Sequence, residues 1–114
     1  MLKLNAAAPS VRQPDVTKFR VQLTERAEED LIDIHSAIAK LNPQSADRIL
    51  MQIDGRLNAL ADMPERGFRR PHIREDLRIV VEGDYLIFYR IDGASVQIVR
   101  IVYARRDLLK LEFN

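Results

Sequence analysis

Two turn signals, Gly83-Asp84 and Asp92-Gly93, cut residues 77–103 into three runs: LRIVVE, YLIFYRI and SVQIVRIVYA. Glycine beside aspartate supplies the positive φ that two-residue hairpin turns need, and the flanking runs are rich in β-branched and aromatic residues. An antiparallel meander of three strands is what this pattern dictates, and the residues before it must cover the sheet. With 114 residues there is room for one domain with its own core.

The earlier residues supply that cover. KFRVQLT alternates, with Phe19, Val21 and Leu23 on one face, and reads as a short strand. Thr24 is placed to cap a helix opening at Glu25, whose apolar positions Ala27, Leu31, Ile34, Ile38 and Leu41 recur at helical spacing. Glu28, Glu29, Asp30 and Asp33 lie in its N-terminal half, where the helix dipole favours them. Asn42 and Pro43 restart the chain as a second helix carrying Ala46, Ile49, Leu50, Ile53, Leu57 and Leu60, stopped by Pro64 and Gly67. Gly55 within it is expected to mark close packing. With almost no linker the helices form a hairpin. The predicted fold is α+β, in the order β-α-α-β-β-β, with the helical hairpin on one face of a small antiparallel sheet. Residues 1–17, with Pro9 and Pro14 and no sustained period, read as an N-terminal arm to a single domain at 18–114.

Counting outward from two-residue turns assigns the sheet faces. One face collects Leu77, Ile79, Val81, Leu86, Phe88, Val99 and Ile101, the expected core beneath the helices. The other collects Val80, Tyr85, Ile87, Tyr89, Val96, Ile98 and Val102, with Arg78, Glu82 and Arg100. An apolar face rimmed by arginines calls for a cover: the tail LLKLEFN, the N-terminal arm or a partner chain. In this register Arg78 lies opposite Tyr89, and its expected role is structural as much as functional.

Several chemistries find no footing. There is no cysteine, and the only histidines, His35 and His72, have no partner at metal-ligand spacing. Neither a phosphate-binding glycine loop nor a Ser/His/Asp signature occurs. No cofactor is expected. No apolar run approaches a membrane span, and the N-terminus lacks a signal-peptide core, so a cytoplasmic protein is expected. The net charge is +1, with a local excess of arginine at Arg66, Arg69, Arg70, Arg74 and Arg78 against Glu75 and Asp76.

Four stretches, AEEDLIDIHSAIAKLNPQSADRI (27–49), LADMPERG (60–67), LRIVVEGDYLIFYRID (77–92) and IVRIVYARRD (98–107), together resemble the ParE branch of the RelE/ParE toxins of bacterial type II toxin–antitoxin systems. The resemblance implies a toxin silenced by a ParD-like antitoxin, touching DNA only through that complex. In the ParE branch it implies inhibition of DNA gyrase by protein contact. The RelE branch implies metal-independent mRNA cleavage on the ribosome. Against that, Leu86 follows Tyr85 where an arginine is expected, and the tail offers Glu112 and Phe113 where a tyrosine is expected. A phenyl ring cannot move a proton. An unusual RNase set of Arg78, Arg100, Arg106 and Tyr103 is the alternative, and an inert antitoxin-binding member of the fold is a third.

Ala104-Arg105-Arg106-Asp107 matches the family's strand end. Arg78, Arg100, Arg105, Arg106 and Asp107 are the candidate target contacts. Val80, Ile87, Tyr89 and Ile98 are the candidate antitoxin contacts. In an extended strand Arg105 and Arg106 point to opposite faces, so one braces the fold, on Glu82 or an acid at the first helix start, while the other faces the target. Asp107 is expected to cap the turn that follows.

Overall fold

The structure, a computed structural model, describes residues 19–69 and 76–105. The N-terminal segment, Arg106, Asp107 and the tail lie outside the described residues. Strand β1 (Arg20–Leu23) leads into helices α1 (Glu25–Ala39) and α2 (Pro43–Leu60), and a 3-10 turn at Pro64–Arg66 follows. A two-residue strand β2 (Phe68–Arg69) precedes the meander β3 (Arg78–Glu82), β4 (Tyr85–Asp92) and β5 (Ser95–Tyr103). The α+β order holds, with β2 added at one edge. The sheet runs β1-β5-β4-β3-β2, and β1 lies parallel to β5 while the other pairs are antiparallel.

The helix boundaries follow from local chemistry. Thr24 Oγ1 accepts from the Ala27 N–H at 3.1 Å, and Asn42 Oδ1 accepts from the Ser45 N–H at 3.1 Å. Each cap satisfies a donor that a helix start leaves orphaned. The Thr24 hydroxyl also donates to the Val99 carbonyl at 3.2 Å, joining the start of α1 to β5. Gly55 does not mark close packing, because a Cβ there would meet nothing within 4 Å.

The grouping of the sheet faces survives with one exchange, but the helices sit on the other side. Ala27, Leu31, Ile53, Leu57 and Leu60 pack with Val80, Ile87, Tyr89, Val96, Ile98 and Ile101. The face expected to lie beneath them holds a separate cluster of Leu77, Ile79, Phe88, Val99 and Val102, with Leu86 against it. Alternation cannot choose between two apolar faces. That choice belongs to the hand of the crossover from β1 through the helices to β3, two strands that run parallel.

The second turn also differs. Asp92 pairs with Ser95, so the turn is Gly93-Ala94, with Gly93 at φ +62°. Tyr89 pairs with Ile98 while Phe88 pairs with Arg100, which leaves Val99 as a bulge. The extra residue resets the alternation, so Ile101 joins the helical side and Val102 the other.

Candidate functional site

Arg100, next to the bulge, reaches α1. Its Nε donates to Asp30 Oδ2 at 2.8 Å and its Nη2 to Oδ1 at 3.0 Å, and the Ile101 N–H donates to Oδ2 at 2.9 Å. Arg100 is 0% exposed and Asp30 8%. Arg100 is therefore not a target contact. A guanidinium removed from water needs a bidentate partner, and Asp30 provides it from within the fold. Asp30 stands three residues after Ala27 and one before Leu31, on the buried stripe rather than among the solvated acids of the helix start. A charged residue between Val99 and Ile101 was the signal for a buried pair.

The candidate antitoxin contacts Val80, Ile87, Tyr89 and Ile98 are likewise buried beneath the helices and present no surface. Tyr89 works as a latch. Its hydroxyl donates to the Pro64 carbonyl at 2.6 Å and accepts from the Gly67 N–H at 2.8 Å. Burial raises its pKa above the usual tyrosine value, against the opposing pull of the Gly67 hydrogen bond and of Arg78 and Arg66. Arg78, opposite Tyr89 as expected, donates to the carbonyls of Gly67 at 3.3 Å and Glu65 at 3.4 Å. It braces the 3-10 turn. Arg78→Ala is expected to cost about 1–2 kcal/mol, read from the melting transition. An unchanged melting point would show that the brace contributes nothing.

At the end of β5, Tyr103 is exposed and meets Tyr85 edge-on, with centroids 5.8 Å apart. The Ala104 N–H donates to the Asp84 carbonyl at 2.8 Å, and Arg105 follows in solvent. Glu82, expected to brace one of the strand-end arginines, accepts from Arg56 Nε at 3.0 Å.

The described residues also form an open groove of about 470 Å³ that sequence reasoning missed. Leu31, Ile32 and Leu50 from the helices and Leu23 from β1 line it, with Glu28, His35 and Ser36 also on its wall. Ile32 is 56% exposed. His35 Nε2 lies 2.9 Å from Asp47 Oδ1, tying α1 to α2 beside it. Ile32 falls between the stripe positions Leu31 and Ile34, and an apolar residue off the stripe is the signal that marks this surface. Among the described residues no cluster of His, Cys, Asp or Glu has the grouping a metal site needs, and no helix is long and apolar enough to cross a membrane.

Comparison with known proteins agrees with this architecture. The family model described as "ParE toxin of type II toxin-antitoxin system, parDE" matches residues 21–108. Toxin RelE2 of Caulobacter vibrioides is 35% identical over 88 residues, covering 76% of this chain and 97% of the relative. Among solved structures, the chromosomal ParDE toxin–antitoxin system of P. aeruginosa aligns with a TM-score of 0.69 at 21% identity, over 80% of this chain and 100% of that one. The RelBE2 toxin–antitoxin complex of Mycobacterium tuberculosis aligns at 0.51 and 23%, over 80% and 97%. With the helical hairpin, the parallel first strand and a family match running from β1 past the end of β5, the chain belongs to the ParE family of type II toxin–antitoxin toxins.

Proposed function

We propose that this toxin acts by binding a protein, DNA gyrase, and is held silent by a ParD-like antitoxin in the cytoplasm. The observation that carries this reading is what the arginines do. Of the set an RNA-cleaving site would draw on, Arg100 is enclosed by Asp30 and Arg78 is spent on two backbone carbonyls. A buried, paired guanidinium cannot approach a scissile phosphate. The residues left for contact are Arg105 and Tyr103 in solvent, together with Arg106 and Asp107 of the sequence.

The test sets purified toxin against gyrase supercoiling and, in parallel, against mRNA on translating ribosomes. The mRNA arm belongs there because the Caulobacter relative is named RelE2. Supercoiling is expected to stop and mRNA to stay intact. Supercoiling that continues at large molar excess, or codon-positioned cleavage, would overturn the reading.

For the antitoxin the groove between Leu23, Leu31, Ile32 and Leu50 replaces the buried face. Apolar walls with polar groups at hand suit the apolar side of an amphipathic helix. Ile32→Asp is expected to weaken the antitoxin complex by about tenfold or more, since burying an unpaired carboxylate is costly, while leaving the melting temperature within a degree or two of the parent. Titration calorimetry reads the first and a thermal scan the second. Unaltered affinity would move the antitoxin elsewhere.

A further inference from the structure

The groove over Leu23, Leu31, Ile32 and Leu50 has a charged rim. The whole chain carries a net charge of +1, yet acids outnumber bases on the two helices that frame the groove. Glu28 stands on its α1 wall, and the exposed Glu25 lies three residues earlier on the same side of the helix. On α2, Asp47 comes three residues before Leu50 and Asp54 four after it, so both share the side of the helix that Leu50 presents to the groove. The bases of the hairpin are engaged elsewhere or distant. Arg26 pairs with Glu29 at 3.7 Å, Arg48 donates to Ser45 Oγ at 3.2 Å, and Arg56 donates to Glu82 at 3.0 Å. Lys40 stands at the far end of α1.

The acids differ in how they are met. Asp47 has His35. Among the described residues, the Glu28 and Asp54 carboxylates have no side-chain partner. Asp54 is the costlier of the two to hold. Its Oδ1 is enclosed by protein and accepts no hydrogen bond. Burial raises its pKa above the usual carboxylate value, and no neighbouring cation opposes the rise. A carboxylate kept in this way destabilises the free toxin. A cation brought by a partner would offset that cost.

We infer that the groove takes an amphipathic helix with Lys or Arg flanking its apolar side, the cations meeting Glu28 on α1 and Asp54 on α2. This rests on the reading of the groove as the antitoxin's seat, and it adds the chemistry by which that helix is chosen. Apolar anchors fill the floor, and the basic flank selects among helices with the same anchors. A helix flanked by acids would bury the same apolar area and be opposed by like charge.

Two synthetic peptides separate these contributions. Both carry leucines at i, i+3, i+4 and i+7 of an otherwise identical helix; one is flanked by lysines and the other by glutamates. In titration calorimetry the parent toxin is expected to bind the lysine peptide about tenfold more tightly than the glutamate peptide, and added salt should narrow the gap. Ile32→Ser should weaken binding of the lysine peptide severalfold. Asp54→Asn should move two readouts in opposite directions: the free toxin melts at a higher temperature, and the lysine peptide binds more weakly. A purely structural aspartate would not do both. Glu28→Gln should weaken the lysine peptide at an unaltered melting temperature, and Asp84→Asn, at the β3–β4 turn, should leave its affinity unchanged. Equal affinity for the two peptides, tighter binding of the glutamate peptide, or a lysine preference that survives both Asp54→Asn and Glu28→Gln would overturn the inference. The antitoxin reading fails separately: unaltered antitoxin affinity in Ile32→Asp, with the lysine peptide still weakened by Ile32→Ser, removes the antitoxin and upholds the chemistry of the groove.

Discussion

Arg100→Met alone is expected to destabilise the toxin by about 3–5 kcal/mol, because it strands the Asp30 carboxylate in the core without its partner. That is a large share of the roughly 5–15 kcal/mol that holds a domain together, so a substantial unfolded population is expected near growth temperature. Adding Asp30→Leu should recover much of the loss. A buried pair replaced by packed apolar side chains gives up its attraction and its desolvation cost together. Recovery will be incomplete, because the Ile101 N–H also donates to Asp30 and would be left orphaned, at about 1–3 kcal/mol. Urea midpoints of the two single variants and the double variant read the cycle. A single variant as stable as the parent would mean that the pair contributes nothing.

Gly67→Ala is the second large effect. Gly67 sits at φ −74°, which alanine adopts freely, so the penalty is purely steric. A Cβ there would lie 2.5 Å from the Tyr89 hydroxyl and 2.8 Å from the Ile79 carbonyl. Neither can yield cheaply: one is locked between Pro64 and Gly67, and the other is sheet backbone. Overpacking of this kind costs about 1–3 kcal/mol. Tyr89→Phe alone leaves the Pro64 carbonyl and Gly67 N–H without their partner, at about 1–3 kcal/mol. The double variant should lose less than the sum, because removing the hydroxyl relieves one clash and leaves the other. Additive losses would show that the two groups do not touch.

Tyr89 also governs alkaline behaviour. Its folded pKa, like that of Tyr85, is raised above 10.0 by burial. Its contribution is complete below 10.0. Above that the unfolded chain ionises first, so stability falls as pH climbs through the folded value. Tyr89→Phe should flatten part of that fall in melting scans between neutral and strongly alkaline pH.

The helices were legible because their signals are local: an apolar stripe, Thr24, and the Asn42-Pro43 restart. The first hairpin was legible for the same reason, and Glu82 pairs with Tyr85 as counted. What escaped were decisions made over long range. Alternation sorted the sheet residues into two faces but carried no information about which face the helices would take. The Val99 bulge is invisible to counting, and it exchanged Ile101 and Val102 between the faces, while Arg100 was taken into the core by the inverted face. Val80, Ile87, Tyr89 and Ile98 failed as antitoxin contacts through that inverted face alone. Leu23, Leu31 and Leu50 were each read as apolar positions and Ile32, off the stripe, was not; only the fold brings the four together.

Among the described strands, the one made first finds its sheet neighbour in the one made last. Thr24 donates to the Ile98 carbonyl from its N–H and to Val99 from its hydroxyl, 75 residues away for the latter. At about 5–20 residues per second, synthesis takes roughly 4–15 s to supply that partner. Until then α1 and α2 have no finished sheet to rest on. An antitoxin that reads this groove would therefore meet a groove backed by the finished sheet only after β5 has joined β1.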